Sequence, residues 1–226
     1  MNILIVSGHP DDAEFAIGGI LLMLSKKHKL TQLVLTDGGA GTFNDVEKRK
    51  REQENASKML GAKLVWLGKP DCSLEHTRNA AIELAQHIRD AKPDVIFAPY
   101  PELKGDIHDG RAHPDHRAAG RLVRDAARYA RFNISELKGD KHDTKQVYWF
   151  MITPEEASVA IPIDSVTEEL QQLMKCHESQ LQLRKSSVGE MLLQFRKNAA
   201  MRYRTAQYVE MLATDLPLLV DAEKLF

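Results

Sequence analysis

Short apolar runs alternate along the chain with longer segments whose apolar residues recur at helical spacing. The first run, Ile3-Leu4-Ile5-Val6, is continuously apolar and rich in β-branched residues, which is typical of a strand buried on both faces. Further strands are predicted at 30–36, 63–67, 95–98 and 147–153. Helices are predicted between them at about 13–29, 46–60, 77–91 and 114–130.

This repeated alternation of strand and helix indicates an α/β fold, in which a parallel sheet is covered by helices on both faces. We expect a Rossmann-like three-layer α/β/α sandwich whose mostly parallel sheet has the strand order 3-2-1-4-5. A capped helix is predicted from 164 to about 183, and the remainder is predicted to be helical to about 213. Residues 1–226 are therefore expected to form a single domain with a helical C-terminal extension over about 164–226.

The composition is that of an ordinary globular protein without a dominant charge. Of the 226 residues, 43% are hydrophobic and 28% are charged, and the formal net charge is -1. No global electrostatic field therefore favours nucleic acid or a membrane surface as a partner. The two cysteines, Cys72 and Cys176, show no CxxC spacing, and no apolar run suits a signal peptide or a membrane span. We expect a reduced, cytoplasmic protein.

Two histidine-rich acidic turns carry the candidate chemistry. Ser7-Gly8-His9-Pro10-Asp11-Asp12 follows the first strand, and His113-Pro114-Asp115-His116 follows the fourth strand after a long polar segment. In doubly wound sheets the ligand crevice lies beyond the carboxyl ends of the strands, at the point where the winding reverses direction. Strands one and four are neighbours at that point in the expected order. We therefore expect the two turns to face each other and to form a metal site.

Residue spacing within each turn suggests how the roles are divided. His9 and Asp12 are three residues apart and can converge on one ion, while the adjacent Asp11 points elsewhere as a spare carboxylate. His113 and His116 have the same spacing, which leaves open which of them ligates and which faces the substrate. Two histidines and one aspartate with an open fourth position are typical of catalytic zinc, which lowers the pKa of bound water toward ~7. With a carboxylate as general base and a histidine as hydrogen-bond or proton donor, the arrangement favours hydrolysis of an amide.

Other interpretations compete with this one. The first motif alone can be a turn that caps the next helix, and the second alone can be a histidine-rich helix start, but their joint occurrence after strands one and four favours a site. A magnesium-dependent phosphohydrolase or phosphoryl-transfer protein is a rival, although Mg²⁺ prefers oxygen ligands. A receiver-like metal-binding signalling module is another rival, but it needs an aspartate at the end of strand three, where this chain has Leu67-Gly68.

The two motifs resemble those of the LmbE-like family, also called the PIG-L or GlcNAc-phosphatidylinositol de-N-acetylase family. The resemblance rests on residues 2–12, 95–100 and 113–116 and covers most of the first 180 residues. Weaker similarities lie at Arg49 with Glu52, at Pro70-Asp71 and at 177–180. The resemblance implies a zinc-dependent N-deacetylase of N-acetylglucosamine derivatives, and the sequence leaves the native metal open among Zn²⁺, Fe²⁺ and Co²⁺.

The resemblance also implies a role for each residue of the two turns. It implies that zinc is bound by His9, Asp12 and His116. It makes Asp11 the general base, and it makes His113 the group that stabilises the oxyanion and protonates the leaving amine. Asp115 is expected to orient His113.

Two arginines are candidate substrate contacts. Arg49 matches an arginine that contacts the substrate in similar bacterial deacetylases, although a solvated helix face over 47–52 is the alternative. Arg111 stands two residues before the second motif, where some members have a tyrosine that polarises the carbonyl. We expect a metal-dependent hydrolase that releases acetate from an N-acetylglucosamine-type amino sugar or glycoside. That small molecule is the expected partner, with no nucleic acid and no membrane span, and a homo-oligomer is left open.

Overall fold

A five-stranded parallel sheet with helices on both faces forms the centre of the fold. The computed structural model describes residues 1–41, 45–102, 112–181, 188–203 and 206–214. Its strands are β1 (Asn2–Ser7), β2 (Lys29–Thr36), β3 (Lys63–Lys69), β4 (Val95–Pro99), β5 (Gln146–Phe150), β6 (Val159–Pro162) and β7 (Val209–Leu212). Its helices are α1 (Asp12–Ser25), α2 (Val46–Met59), α3 (Arg78–Ala91), α4 (Pro114–Ala130), α5 (Thr167–Lys175), α6 (Glu178–Leu181) and α7 (Val188–Tyr203).

The central sheet has the order β3-β2-β1-β4-β5, and each pair of neighbouring strands in it is parallel. The predicted α/β fold and strand order are therefore confirmed. β1 lies in the middle, where Ile3 is in register with Leu30 of β2 on one side and with Val95 of β4 on the other. This pairing brings the carboxyl ends of β1 and β4 together.

β1 is continuously apolar because its side chains enter two separate cores. Ile3 and Ile5 pack on one face of the sheet with residues of α1 and α5. Leu4 and Val6 pack on the other face with residues of α3 and α4. All four side chains are at most 1% exposed. Burial on both faces explains why the pattern of this strand does not alternate.

Helix α1 is interrupted at Ile17, whose φ of -137° and ψ of 27° lie outside the helical region. Two backbone N–H groups in the following turn donate to the Glu210 carboxylate of β7, at 3.0 and 2.8 Å. Nη2 of Arg196 in α7 donates to the Phe15 carbonyl at 2.7 Å, and its Nε donates to Glu210 at 2.8 Å. The buried Arg196–Glu210 ion pair thus satisfies backbone groups on both sides of the break and ties α1 to the C-terminal region.

The C-terminal region differs from the predicted helical extension in two places. The helix predicted from 164 to about 183 is divided into a 3-10 turn at Asp164–Val166, α5 and α6. The segment predicted to be helical to about 213 ends instead in β7, which pairs antiparallel with β6. Periodicity does not separate a short apolar run in a strand from one in a helix. Residues 209–212 form a strand because they pair with β6, and Ala213 adds a bridge to Trp149 of β5. The prediction of a helix to about 213 was therefore wrong.

Two further predictions concern a membrane span and the polar segment before α4. Within the described ranges, no helix is both long enough and apolar enough to cross a membrane. Arg111 and most of the polar segment before α4 lie outside the described residues. The substrate-binding role of Arg111 therefore stays a prediction.

Candidate active site

The two histidine-rich turns face each other across the carboxyl ends of β1 and β4. Nδ1 of His9 lies 3.0 Å from Nε2 of His116, although 107 positions separate the two residues in the sequence. His116 lies in the first turn of α4. Gly8 permits the close approach, since a Cβ at this position would lie 3.2 Å from the His116 ring. The convergence expected from the strand order is therefore present in the structure.

Asp12 supplies a third ligand atom at the same point. Its Oδ1 lies 3.0 Å from Nε2 of His116 and 3.7 Å from Nδ1 of His9. Tetrahedral zinc ligands at ~2.0–2.1 Å from the ion are about 3.3 Å from one another, so the three atoms have a spacing that suits a shared ion. All three residues are buried, and the His9 backbone N–H fixes the other carboxylate oxygen at 2.8 Å. The set fits one divalent metal ion.

Carboxylates behind His9 orient its ring. Nε2 of His9 lies 3.0 Å from Oδ1 of Asp71 and 3.3 Å from Oδ2 of Asp115. Donation of Nε2–H to these carboxylates leaves Nδ1 unprotonated and directed at the ion position, which is the usual arrangement of a metal-ligating histidine. The Asp115 carboxylate is itself held by two backbone N–H groups of the turn after β3, at 2.8 and 3.1 Å. Asp115 contacts His113 through its backbone, because its N–H donates to Nδ1 of His113 at 3.2 Å.

The surrounding carboxylates favour positive charge at the centre of the site. Burial lowers the pKa of His9, but hydrogen bonds with three carboxylates outweigh burial and raise this pKa to about 12. Burial would raise the pKa of Asp12, yet the charge and the hydrogen bond of His116 hold it well below its usual range. A field that favours an imidazolium also favours a divalent cation between these ligands.

Asp11 lies beside the ligand set and is turned toward α2. It is the N-cap residue of α1 and has a left-handed φ of 88°. Its Oδ2 accepts a hydrogen bond from Nη2 of Arg49 at 3.0 Å, and its backbone N–H donates to Oε1 of Gln53 at 3.1 Å. Burial raises the pKa of Asp11 to about 6, with Arg49 opposing the rise and Asp12 adding to it. A carboxylate with a pKa near neutrality at this position suits a general base.

Arg49 is part of the site and not of a solvated helix face. Its side chain is 7% exposed and donates to the carbonyls of Gly38 and Pro10 at 2.8 and 2.7 Å, as well as to Asp11. Gly38 has a φ of 63°, and a Cβ there would lie 2.3 Å from Nη1 of Arg49. The turn after β2 thus makes room for the guanidinium. The solvated-face alternative was wrong, and the contact of Arg49 with a substrate stays a prediction.

His113 lies next to the ligand set, with its ring centroid 4.6 Å from that of His9. Its Nδ1 accepts the backbone N–H of Asp115, so the proton of the neutral ring is on Nε2. Burial lowers the pKa of His113, and the neighbouring His9 and His116 lower it further. A neutral ring that carries Nε2–H can donate a hydrogen bond to a substrate oxygen.

The sequence analysis missed one residue that positions the site, Gln53, and gave too little weight to another, Asp71. Gln53 holds the backbone of Asp11 and also donates from Nε2 to Oε1 of the buried Glu14 at 2.8 Å. Asp71 matches the family only as part of a weak sequence similarity. It contacts His9 because the turn after β3 lies at the same edge of the sheet as the turn after β1. Gln53 lies one helical turn after Arg49, and Asp71 follows a strand that ends at the crevice. Helix spacing and strand order are the signals from which both residues could have been found.

Comparison with known proteins identifies the family. A family model described as PIG-L, GlcNAc-PI de-N-acetylase, matches residues 4–127, which is more than half of the chain. The chain belongs to the PIG-L family. The matched segment includes both histidine-rich turns together with Arg49 and Asp71. The resemblance seen in the sequence is confirmed, and the chain is a member of a family of de-N-acetylases that act on GlcNAc-type sugars.

Individual proteins match this PIG-L protein in sequence or in structure. A diacetylchitobiose deacetylase of Thermococcus kodakarensis is 30% identical over 194 residues, which are 79% of this chain and 70% of that protein. The crystal structure of a conserved protein of Thermus thermophilus matches with a TM-score of 0.83 and 27% identity, covering 97% of both chains. A 4-carboxy-2-hydroxymuconate hydratase of Pseudomonas putida has the same fold at a TM-score of 0.75 and 21% identity, covering 98% of this chain and 99% of its own. Because the fold carries more than one reaction, the function has to be inferred from the site and the family.

Proposed function

We infer that this PIG-L protein is a metal-dependent hydrolase that removes the acetyl group from an N-acetylglucosamine-type amino sugar or its glycoside. The observation that carries the proposal is the convergence of His9, Asp12 and His116, whose ligand atoms lie 3.0 to 3.7 Å apart beside the buried Asp11. The family and the Thermococcus relative support an acetamide as the reacting group.

His9, Asp12 and His116 would hold Zn²⁺, with Fe²⁺ and Co²⁺ as alternatives, because two imidazoles and one carboxylate suit these metals. When bound, such an ion supplies a Lewis acid and lowers the pKa of water toward ~7. Two imidazole nitrogens among three ligand atoms argue against the magnesium-dependent phosphohydrolase and the receiver-like module, since Mg²⁺ prefers oxygen ligands. Zinc is therefore the metal with which the protein is first tested.

Asp11 accepts the proton of the attacking water. Arg49 fixes one of its carboxylate oxygens at 3.0 Å, and Gln53 fixes its backbone, so the orientation of the base is set before the substrate binds. As the hydroxyl adds to the amide carbon, the carbonyl oxygen gains negative charge, and Nε2–H of His113 donates a hydrogen bond to it. The C–N bond then breaks, and the proton held by Asp11 passes to the leaving nitrogen. The products are acetate and a free amine.

In this mechanism Asp11 both accepts the proton of the water and passes it to the leaving nitrogen. The family resemblance implied instead that His113 protonates the leaving amine. The neutral ring of His113 is a good hydrogen-bond donor, whereas Asp11 already holds the proton that the amine needs. Asp115 acts on His113 through its backbone N–H and on His9 through its carboxylate. We retain the general-base role of Asp11 and the oxyanion role of His113.

The proposal is tested with zinc-loaded protein and a panel of N-acetylated sugars. The panel includes N-acetylglucosamine, its phosphates, nucleotide-linked forms, simple glycosides and N,N'-diacetylchitobiose. We expect at least one compound to release acetate and an equal amount of free amine, and the Asp11→Asn variant to be inactive on it. Failure on the whole panel would contradict an amino-sugar substrate. Addition of water to an unsaturated acid, without acetate release, would favour the hydratase chemistry of the Pseudomonas protein.

A further inference from the structure

Glu14 and His177 form a buried pair behind the candidate general base, and the proposed reaction does not use them. Glu14 of α1 is 0% exposed, and His177, which lies between α5 and α6, is 1% exposed. Oε2 of Glu14 and Nε2 of His177 lie 3.7 Å apart, and within the described residues neither atom has a hydrogen-bond partner. We propose that His177 is a positioning residue, which acts through Glu14 and Gln53 to hold Asp11 in its reactive orientation.

The Glu14 carboxylate needs a donor on its second oxygen. Nε2 of Gln53 and Nε2 of Gln32 both donate to Oε1 of Glu14, at 2.8 and 2.7 Å. A buried carboxylate oxygen without a donor is costly, and His177 is the side chain that faces Oε2. Because a hydrogen bond needs about 2.7–3.2 Å, a displacement of less than ~1 Å joins Nε2–H of His177 to this oxygen.

Gln53 carries the effect to Asp11 because both ends of its amide group are engaged. Its Nε2 donates to Oε1 of Glu14 at 2.8 Å, and its Oε1 accepts the backbone N–H of Asp11 at 3.1 Å. The amide group is planar, so fixing its nitrogen also fixes its oxygen. The position of Glu14 therefore decides where Gln53 meets the turn that contains the base.

His177 is itself held from several sides. Its backbone N–H donates to the carbonyl of Met174 at 3.0 Å, and its carbonyl accepts the N–H of Gln180 at 3.0 Å. The His177 ring lies edge-on to Phe15 of α1, with the ring centroids 5.7 Å apart. These contacts keep the ring against α1 with Nε2 beside Glu14.

Ser179 offers a matched comparison in the same segment. Its N–H and Oγ donate to the two carboxylate oxygens of the buried Glu52, at 2.9 and 2.6 Å. In the described contacts no side-chain hydrogen bond links Glu52 to Asp11 or Gln53. Ser179→Ala therefore weakens the packing of this segment on α2 without interrupting the path from His177 to Asp11.

Steady-state kinetics of acetate release test the effect on the reaction, and this part rests on the proposed function. His177→Gln places an amide N–H near the position of Nε2, whereas His177→Asn places one only near the position of Nδ1. At one equivalent of bound metal, we expect kcat of His177→Asn to fall at least about tenfold and KM to change by less than about twofold. His177→Gln should recover most of this loss, and Ser179→Ala should keep kcat within about twofold of the wild type. An unchanged kcat in His177→Asn, or an equal loss in His177→Gln or Ser179→Ala, overturns the positioning role.

Hydrogen exchange of the Asp11 backbone N–H, followed by NMR, tests the coupling without a substrate. Oε1 of Gln53 accepts this N–H, so its exchange rate reports on the contact directly. We expect exchange at least about tenfold faster in His177→Asn than in the wild type, and near the wild-type rate in His177→Gln and Ser179→Ala. The hydrogen-bonded N–H of Trp149, in the edge strand β5, should exchange at the same rate in all proteins, which separates local loosening from unfolding.

A rate for Asp11 that is equal in the wild type and His177→Asn overturns the coupling. If His177→Asn does not fold, His177→Leu replaces it, since it also removes the donor and must show the same fall in kcat and the same faster exchange. If no sugar releases acetate, the proposed function fails, and the exchange rate still decides whether His177 holds the turn that contains Asp11.

Discussion

Oδ2 of Asp11 and Nη2 of Arg49 lie 3.0 Å apart in a buried ion pair that joins the turn after β1 to helix α2. The same guanidinium holds the carbonyl of Pro10 and that of Gly38 in the turn after β2. Arg49 therefore links two of the loops at the carboxyl edge of the sheet and orients the candidate general base between them. The pair explains how a basic residue in a highly charged helix comes to be buried.

Replacing Arg49 with methionine should reduce both turnover and stability. The variant removes the partner of Asp11 and leaves two buried carbonyls without a donor, so the free energy of unfolding should fall by about 1–3 kcal/mol. Acetate release should fall at least tenfold. Arg51→Met is the matched control, because Arg51 is exposed on the same helix and should change stability by no more than about 0.5 kcal/mol. Denaturant unfolding and initial rates measure both effects, and equal rates in the two variants would contradict the positioning role.

Asp11 and His116 should be separable by metal content. Asp11→Asn should retain one equivalent of metal and lose turnover by about 10²–10⁴-fold, because the general base is removed and the ligand set remains. His116→Ala should lose both the metal and the activity, since it removes a ligand. Elemental analysis after gel filtration measures the metal, and the exposed His76→Ala is the control. An Asp11→Asn protein with unimpaired turnover would falsify the assigned mechanism.

Gln53→Leu should slow the reaction without releasing the metal. Oε1 of Gln53 accepts the backbone N–H of Asp11, and its Nε2 donates to Oε1 of Glu14, so the change leaves the buried Asp11 N–H without its acceptor and removes one of the two amide donors to Glu14. We expect a loss of about 1–3 kcal/mol in the free energy of unfolding and a fall in kcat larger than the change in KM. Gln171→Leu, at an exposed position in α5, is the control. Loss of the metal from Gln53→Leu would show instead that the residue supports the ligand set.

Glu210→Gln should destabilise the protein. Glu210 lies far from the ligand set in the sequence. Its carboxylate pairs with Arg196 and accepts two backbone N–H groups at the break in α1, all in a buried environment. Removing one charge of a buried pair typically lowers the free energy of unfolding by about 3–5 kcal/mol. Glu155→Gln breaks the exposed pair with Arg202 of the same helix and should have a much smaller effect. Similar melting temperatures for the two variants would contradict this account of the α1 break.

Hydrophobic pattern and motif spacing determined much of the fold and part of the site. The continuous run at Ile3 to Val6 indicated a strand with two covered faces, and the sheet has β1 at its centre. Strand order then placed the turn with His9 and Asp12 opposite the turn with His113 and His116. These features follow from short-range periodicity and from a small set of permitted sheet topologies, so a single sequence carries enough information for them.

Only the tertiary structure decided which side chains complete the site. The burial of Arg49 depends on the turn after β2, and the contact of Asp71 with His9 depends on how β3 ends relative to β1. The strand at Val209–Leu212 formed, where a helix was predicted, because β6 offered a pairing edge. Local sequence pattern does not specify contacts between segments far apart in the chain. Sheet register and loop packing set those contacts, and through them they set the partners of Asp11.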